Sequence, residues 1–320
     1  LSQIEAKNIM GKIMSGHFDD SQISGFLIAL RSKGENYQEI AGFAEAMREK
    51  MTHVDSIENA IDMCGTGGDS SGTFNISTAA SFVVAAAGVP VAKHGNRSMT
   101  SKSGSADVLT ALEVDITLPP EKVYECIHDI GIGFMFAPSL HPAMKHAMAA
   151  RKSLAVRTVF NILGPLCNPA RVKRQVMGIF DGKLNKKIAN VLKLLGSVHA
   201  MVVHGDDGLD EITTTGSTSF TELRPNGEIV SGTMSPSEFG ISLSDLESIK
   251  GGEPDYNAQI IKRVFSGEHG PHRDIVLLNA AVGILVGGKS DTIQGGIDIA
   301  RECVDSGAAR EVLARLAKVR

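Results

Sequence analysis

From about Ala60 onward, short apolar segments alternate with segments of helical periodicity, and this alternation constrains the fold more than any other feature of the sequence. Strand–helix alternation of this kind is typical of a largely parallel sheet covered by helices. We therefore predict an α/β region. Its predicted strands and helices are, in chain order, residues 61–64, 77–87, 89–93, 106–112, 122–130, 134–137, 176–180, 188–195 and 200–204.

The two ends of the chain follow other patterns. The first fifty residues have helical spacing, with Ser21 as a predicted N-cap and Asn36 and Glu39 as a predicted capping box. Residues 213–236 have a β-like pattern around a turn at 225–227, which favours a hairpin, and helices are predicted at 275–286 and 308–319. We expect an α/β protein: a small helical N-terminal domain plus a larger α/β domain, with a mostly parallel central sheet flanked by helices.

Charge and cysteine content narrow the class of protein. The 32 basic and 36 acidic residues give a formal charge of −4, which argues against a general nucleic-acid or membrane-surface binder. The four cysteines are far apart and form no C-x-x-C pair, so a reducing compartment is expected. The first residues lack the order of a signal peptide, and no apolar stretch approaches the ~18 residues of a membrane span. We expect a soluble, cytoplasmic protein with no nucleic-acid or membrane partner.

A glycine-rich loop at residues 65–69 follows the first predicted strand, and residues 75–78 open the next predicted helix. Such a loop lets backbone amides approach an anion, and a helix N-terminus adds unpaired N–H groups. Ser70 replaces the third glycine of a dinucleotide-binding motif, and no Gly-Lys-Ser/Thr sequence closes a Walker loop. A phosphate or pyrophosphate is the expected ligand; the alternative is a tight turn with none. The further predicted donors are Thr73, Asn75, Ser77 and Thr78, and the Ser77 hydroxyl could also bind Mg²⁺.

A second polar segment, residues 93–105, follows the next predicted strand and includes Lys93 and Arg97. In a parallel sheet both loops leave the carboxyl ends of their strands, where α/β proteins bind ligands. The alternative is a solvated basic surface loop. Farther along, the adjacent carboxylates of Asp210 and Glu211 could bind a hard cation such as Mg²⁺, or could be ordinary acidic residues at a turn; their spacing leaves both open.

Two arginines and two histidines complete the candidates. Arg151 and Arg157, near the end of a helix predicted to begin at His141-Pro142, could each hold an acidic substrate or be a plain surface or inter-lobe residue. His94 and His141 could orient a substrate, although single histidines are more often structural. No Ser-His-Asp triad, H-E-x-x-H motif or redox dithiol is present. These candidate residues favour a reaction that depends on anion binding and magnesium, and not one that needs a nucleophile from the protein.

Several of these motifs, in this order, resemble the anthranilate phosphoribosyltransferase family. The resemblance covers essentially the whole chain, from the N-terminal helices to Asn279-Ala280-Ala281, and many ordered motifs are far more specific than any one alone. The motifs that carry it are residues 65–69, 75–78, 93–97, 103–107, 141–144, 151–152, 157–166 and 210–211.

The resemblance implies an enzyme that uses 5-phosphoribosyl 1-pyrophosphate, anthranilate and Mg²⁺ in tryptophan biosynthesis. It implies a homodimer formed through helices. It also implies a helical domain of residues 1–58, with a contribution from about 143–170, hinged to an α/β phosphoribosyl-binding domain of residues 59–142 and 171–320.

The resemblance also assigns roles to individual positions. For phosphoribosyl pyrophosphate they are Gly65, Gly68, Asp69, Thr73, Asn75, Ile76, Ser77, Thr78, Lys93, His94, Gly95, Asn96, Arg97, Ser98, Met99, Thr100, Ser101 and Ser105. For anthranilate they are Gly65, Asn96 and Arg151, with His94, Ala137, Pro138 and His141 along the approach. For the metal they are Ser77, Asp210 and Glu211.

Two other hypotheses remain at this point. A pyrimidine nucleoside phosphorylase resembles this family in fold and handles a ribose phosphate, but it does not need the paired acidic metal site. A non-catalytic relative that binds nucleic acid would need a basic stripe, which the net charge disfavours.

Overall fold

The computed structural model describes residues 1–55, 57–69, 71–98 and 102–320. Within them, a small helical N-terminal region precedes a larger α/β region, which confirms the expected fold class. Ser70, Met99, Thr100 and Ser101, all named in the sequence analysis, lie outside the described residues.

The described residues form one seven-stranded sheet in the order β3-β2-β1-β4-β5-β6-β7. The first five strands in this order are parallel, and the last two pair antiparallel as the expected hairpin. Strands β2 and β3 are added on one side of β1, and β4 then pairs with the other side of β1. Ligands of α/β proteins bind where the strand order reverses in this way. The strands are β1 Ile61–Gly65, β2 Val91–Gly95, β3 Ile132–Phe136, β4 Arg174–Gly178, β5 His199–Gly205, β6 Thr218–Leu223 and β7 Ile229–Met234.

Helices form the N-terminal region and cover both faces of the sheet. The N-terminal helices are α1 Gln3–Met14, α2 Asp20–Lys33 and α3 Tyr37–Lys50. The helices up to the middle of the chain are α4 Ile76–Ala86, α5 Ser105–Ala111, α6 Pro120–Asp129, α7 Ala137–Leu140, α8 Lys145–Leu154 and α9 Phe160–Leu166. The remaining helices are α10 Asn185–Leu194, α11 Pro254–Phe265, α12 Pro271–Val286, α13 Ile293–Asp305 and α14 Ala308–Leu316, and short 3₁₀ turns lie at Pro142–Met144, Gly182–Leu184, Pro236–Phe239 and Leu246–Ile249.

The helix N-termini confirm one predicted cap and correct another. Asn36 and Glu39 form the predicted capping box, because each side chain accepts a hydrogen bond from the other residue's backbone N–H. The predicted cap Ser21 is wrong: Asp19 caps α2 and accepts from the Gln22 N–H at 2.8 Å. Serine and aspartate both serve as N-caps, and here the aspartate two residues earlier is used.

The hydrophobic core has a large cluster on each face of the sheet. On one face α4 packs with α11 to α14, and the rings of Phe82 and Phe265 meet edge to face with centroids 5.9 Å apart. On the other face the cluster runs from α10 and the sheet into α1, α2, α3, α8 and α9, with Phe43 fully buried. The N-terminal helices therefore share a core with the sheet.

No helix within the described residues is long and apolar enough to cross a membrane.

Candidate active site

The glycine loop lies at the reversal of strand order, between the carboxyl ends of β1 and β4. Its Thr66 N–H donates to the Gly178 carbonyl at 3.0 Å, and the Phe180 N–H donates to Thr66 Oγ1 at 3.1 Å. Gly67 and Gly68 have φ of +69° and +74°, in the left-handed region that favours glycine. The loop is thus pinned at its base to β4, while two consecutive glycines form its turn.

The N-terminus of α4 lacks a side-chain cap from its own N-cap residue, Asn75. The Asn75 side chain instead donates to the Ser103 carbonyl at 3.1 Å and accepts from Asn257 Nδ2 at 3.0 Å. The Ile76 and Thr78 side chains are buried, and the Ile76 N–H already donates to the Phe74 carbonyl at 2.8 Å. Thr73 forms an isolated antiparallel bridge with Lys250.

The acidic pair joins the glycine loop to the start of α4. Asp210 Oδ2 accepts from the Gly67 N–H at 2.6 Å, and Glu211 Oε1 accepts from the Ser77 N–H at 3.1 Å. Gly65 has no room for a side chain, because a Cβ there would overlap the Asp210 carboxylate. The three predicted metal positions are therefore brought to one place, with the glycine loop directly beside them.

The electrostatics of this place favour a cation. Burial, followed by the charge of Asp69, raises the pKa of Asp210 to about 6. Burial, followed by the charge of Asp210, raises the pKa of Glu211 to about 8. Of the causes that lower the Glu211 pKa, the Lys93 charge is the largest, ahead of the hydrogen bonds from Ser77. Carboxylates that repel one another in a buried place are stabilised in the charged form by a positive ion.

The donor set fits magnesium, which prefers oxygen ligands. Two carboxylates and the Ser77 hydroxyl are all hard oxygen donors, and magnesium typically takes one or two carboxylates together with substrate phosphate. Among the described residues, no three histidine, cysteine or acidic side chains are grouped as a complete metal site. A cation here would need further oxygen ligands from its substrate.

Lys93 lies beneath the site, away from the surface of the cleft. Its side chain is 2 % exposed, and its Nζ donates to the Met63 carbonyl of β1 at 2.5 Å. Burial lowers the pKa of Lys93, and the nearby carboxylates of Asp62 and Glu211 oppose that shift. Asp62 itself accepts from the His94 N–H at 3.2 Å and from Asn168 Nδ2 at 2.8 Å.

The second polar loop is anchored by a residue that our sequence analysis did not assign to the site. Asp107 accepts hydrogen bonds from the Ser98 N–H at 3.0 Å, the Gly104 N–H at 2.9 Å and Arg97 Nη1 at 2.8 Å. Ser105 Oγ donates to the Asn96 carbonyl at 3.3 Å. One carboxylate thus ties together residues before and after the segment 99–101.

Gly95 ends β2 at the start of this loop, where a Cβ would overlap the Ser105 hydroxyl.

The remaining candidates include His94 of β2 and two residues near the helical region, His141 and Arg151. His94 and His141 lie with their Nε2 atoms 3.2 Å apart; burial lowers the pKa of His94 to about 3 and that of His141 to about 4. Arg151 Cζ lies 5.1 Å from the centroid of the Phe160 ring, and burial lowers the Arg151 pKa. Both histidines are therefore neutral near pH 7, and Arg151 is a cation partly removed from water.

Ala137 and Pro138 begin the short helix α7, directly after β3, and His141 follows that helix.

Arg157 reaches the glycine loop from the helical side. Its guanidinium donates to the Gly68 carbonyl and lies over the Phe180 ring, 4.3 Å from the centroid. Its own carbonyl accepts from Arg31 Nη1 of α2 at 2.7 Å. The two alternatives for Arg157, a substrate ligand or an inter-lobe residue, are both compatible with this position.

Sequence reasoning also missed two buried asparagines. Asn257 donates a hydrogen bond to Asn75. Asn279 contacts Ile212, the residue after Glu211: it accepts from the Ile212 N–H at 3.1 Å and donates to the Ile212 carbonyl at 2.8 Å. Each occurs in a helical segment with ordinary apolar spacing. The only available signal was an amide on the buried face of a helix, where an unpaired polar group would be costly.

Two family models place the chain among glycosyl transferases. The helical bundle domain of the glycosyl transferase family matches residues 1–51, and its a/b domain matches residues 57–310. Together they cover nearly the whole chain and agree with the helical and α/β regions of the fold.

Individual proteins narrow the class further. The chain is 52% identical over 314 residues to the anthranilate phosphoribosyltransferase of Acetivibrio thermocellus, covering 98% of this chain and 91% of that one. The crystal structure of anthranilate phosphoribosyltransferase from Thermus thermophilus superposes with a TM-score of 0.94 at 41% identity, covering 99% of this chain and 95% of that one. The Saccharomyces cerevisiae anthranilate phosphoribosyltransferase, solved in complex with PRPP and Mg, gives a TM-score of 0.90 at 30% identity, covering 99% and 92%. The chain belongs to the anthranilate phosphoribosyltransferase family.

Proposed function

We propose that this protein transfers the 5-phosphoribosyl group of 5-phosphoribosyl 1-pyrophosphate to the amino group of anthranilate. The products are N-(5-phosphoribosyl)anthranilate and pyrophosphate, in tryptophan biosynthesis. The observation that carries the proposal is the junction of Asp210 with Gly67 and of Glu211 with Ser77. It unites the predicted anion-binding loop, a helix N-terminus without a side-chain cap and two buried carboxylates whose raised pKa values favour a bound cation. The family's relatives favour this function over the nucleoside phosphorylase and nucleic-acid-binding alternatives.

The donor substrate is proposed to lie along the glycine loop and the start of α4. The backbone N–H groups near Gly68 and Asp69 would donate to its phosphate oxygens, because the two glycines allow the phosphate to come close to the backbone. Residues 95–98 and Ser105 are proposed to contact it from the second loop, while the buried Lys93 acts on the site from beneath through its charge.

Magnesium is proposed to be held by Ser77, Asp210 and Glu211. When bound there, it would neutralise the negative charge that develops on the departing pyrophosphate. The yeast relative solved with PRPP and Mg supports magnesium as the ion.

The acceptor is proposed to lie between Arg151 and the His94–His141 pair, with Gly65, Asn96, Ala137 and Pro138 as further lining. A guanidinium partly removed from water binds a carboxylate more strongly than one at the surface. The aromatic amine is nucleophilic when neutral, so attack on the anomeric carbon needs no dedicated base. Orientation of both substrates and exclusion of water would supply most of the rate.

The division into domains is proposed to be 1–58 with about 143–170, and 59–142 with 171–320. Helix α8 contacts α1 and α2, and helix α9 contacts α3, which supports assigning both to the helical domain. Closure about the connections between the two would remove water from the cleft.

We also propose a cytoplasmic homodimer formed through the helical region. An apolar groove of about 220 Å³ supports it; its lining residues are Ile9, Ile13, Phe18, Gln22, Ile23 and Phe26. Light scattering after size exclusion should give twice the 33.9 kDa chain mass, and a monomer at micromolar concentration would contradict this.

The activity is tested directly by mixing protein, anthranilate, phosphoribosyl pyrophosphate and Mg²⁺ and following the loss of anthranilate fluorescence. The expected result is loss of signal that requires all components and stops with a metal chelator. Turnover of a pyrimidine nucleoside with inorganic phosphate, without loss of anthranilate, would instead establish the phosphorylase alternative.

A further inference from the structure

Asn257 is a buried amide that connects the C-terminal part of the chain to the start of α4. It lies in α11, is 1 % exposed, and its Nδ2 donates to Asn75 Oδ1 at 3.0 Å across 182 residues of sequence. A primary amide offers both a donor and an acceptor, so its orientation decides what its neighbour can do.

A backbone group fixes the orientation of Asn257. The Gly252 N–H donates to Asn257 Oδ1 at 2.7 Å. A backbone N–H can only donate, so the oxygen of Asn257 must face Gly252, and its NH₂ group must face Asn75.

The orientation of Asn75 follows from this contact. Asn75 Oδ1 accepts from Asn257 Nδ2 and also from Ser103 Oγ at 3.1 Å, while Asn75 Nδ2 donates to the Ser103 carbonyl at 3.1 Å. The amide nitrogen carries two N–H bonds, and this contact uses one of them. The second N–H of Asn75 is left for another acceptor.

Residues 250–252, next to the Asn257–Asn75 contact, pack closely against residues 72–74. The Gly251 N–H donates to the Gly72 carbonyl at 2.9 Å, and Thr73 bridges Lys250 in antiparallel fashion. A Cβ at Gly251 would lie 2.6 Å from the backbone N and Cα of Phe74. Residues 250–252 therefore lie directly along the segment that leads into α4.

We propose that Asn257 is a positioning residue, which holds the Asn75 amide so that its second N–H faces the phosphates of the donor substrate, while the first stays bonded to the Ser103 carbonyl of the second loop. The proposal rests on the proposed function, because the anion is the phosphoribosyl pyrophosphate. It places in the binding machinery a residue that does not touch substrate.

A double-mutant cycle tests the proposal, with the variants Asn75→Ala, Asn257→Ala and both together. Asn257→Ala alone should raise the KM for phosphoribosyl pyrophosphate roughly 10-fold, the scale of one hydrogen bond to a charged group, and change the KM for anthranilate less than about 2-fold. In the Asn75→Ala background, the same substitution should change the donor KM less than about 2-fold, because its effect passes through Asn75.

The matched control is Asn185→Ala, which removes a buried asparagine bonded to Ser219 on the other face of the sheet. Its donor KM should stay within about 2-fold of wild type. If Asn257→Ala yields no folded protein, Asn257→Ser goes through the same cycle, because its hydroxyl can still accept from the Gly252 N–H.

An equal factor in both backgrounds, or an unchanged donor KM, would overturn the role of Asn257. Wild-type protein without turnover of the two substrates would instead overturn the proposed function, and the two failures are therefore distinct.

Discussion

Asp210 and Glu211 show at the residue scale how one contact can serve both structure and chemistry. Each carboxylate caps a backbone N–H of a different substrate-binding segment, and burial raises the pKa of both. Their ionised forms repel each other, so a bound positive ion would favour the form in which both are charged. The consequence is a binding site whose geometry and charge depend on the same two side chains.

Replacing one of these carboxylates should separate binding from folding. Glu211→Gln keeps the shape and can still accept from the Ser77 N–H, but it removes a charged metal ligand. We expect kcat/KM for phosphoribosyl pyrophosphate to fall roughly 100-fold at saturating anthranilate. Steady-state kinetics over a magnesium titration would measure this loss. Glu222→Gln, a carboxylate on β6 bonded to His199, is the control and should keep near-normal turnover; normal turnover in Glu211→Gln would remove it from the metal site.

Arg151 offers a test of the acceptor side. Arg151→Ala removes a partly buried guanidinium, and we expect the KM for anthranilate to rise roughly 10- to 100-fold because a charged hydrogen bond is lost. The KM for the sugar donor should stay within about 2-fold. The exposed Arg301 serves as control through Arg301→Ala. Equal increases in both constants would place Arg151 outside the acceptor pocket.

Single residues were predictable from sequence where a motif combined residue type with spacing. The glycine loop, the start of α4 and the acidic pair were all located in this way, and the structure brings them together. Asp107 was quoted in the motif 103–107 but given no role, although its bond to the Gly104 N–H three residues earlier is a local helix-capping pattern. Roles for Asn257 and Asn279 could not be found, because their partners lie far away along the chain. A buried amide in an amphipathic helix has no local sequence signal of its partner.

At the scale of elements, the end of β4 controls the position of the acidic pair. Gly178 closes this strand, and a Cβ there would overlap the Asp210 carbonyl. The strand is held in register between β1 and β5, so it cannot move aside without breaking its pairs. The close contact between β4 and the Asp210 backbone therefore leaves no room for a side chain at Gly178.

Gly178→Ala should consequently lower both stability and activity. We expect about 1–3 kcal/mol of destabilisation from overpacking and a clear loss of kcat/KM for the donor. Urea unfolding together with kinetics would measure both. Gly11→Ala is the control of opposite sign: Gly11 lies inside α1 with open space around it, so alanine should stabilise by about 0.5–1 kcal/mol. A Gly178→Ala protein with wild-type stability and turnover would contradict the overlap.

The elements themselves were largely predictable, with characteristic errors. The strands predicted at 89–93 and 134–137 are found at Val91–Gly95 and Ile132–Phe136, because apolar runs extend into the connecting turns while pairing is set by the neighbouring strand. Helix α9 was not separately predicted, since Gly164-Pro165 lies inside it, and neither was α13, whose first turn includes Gly295 and Gly296. Tertiary packing overrides the weak propensity of these residues.

At the scale of the whole molecule, the His94–His141 pair links the sheet to the helical region. His94 lies on β2, and His141 immediately precedes a 3₁₀ turn that leads into α8. Burial lowers the pKa of both below the usual value of 6.5, to about 3 and about 4. The native protein keeps both neutral at pH values where the unfolded chain binds protons.

Acid should therefore destabilise the protein through this pair. Between about pH 6.5 and pH 4, the unfolding free energy should fall with falling pH by about 1.4 kcal/mol per unit for each histidine. Urea midpoints measured from pH 7.5 to 5 would show this when wild type is compared with His94→Gln/His141→Gln. As the pH falls, the difference in unfolding free energy between wild type and this double variant should shrink to zero or change sign. Replacing the exposed His128 with glutamine is the control, and parallel curves for the double variant would contradict the prediction.

The kind of structure in each half of the molecule could be predicted from sequence, but the packing of the two halves against each other could not. The sequence indicated a helical N-terminal part and a parallel sheet, and both are found. It could not show that one apolar cluster would run from α1 through α9 to α10 and the sheet, because periodicity says which face is buried and not against what.

The return of β4 to the side of β1 has a consequence for biosynthesis on the ribosome. The glycine loop is translated early, yet Gly67 is fixed by a residue 143 positions later and Asn75 by one 182 positions later. Contacts this distant in sequence close slowly, because the intervening chain must first be ordered. A nascent polypeptide that ends before Asn257 would lack part of the phosphate cradle, so competence to bind the sugar donor should arise only near the completion of translation.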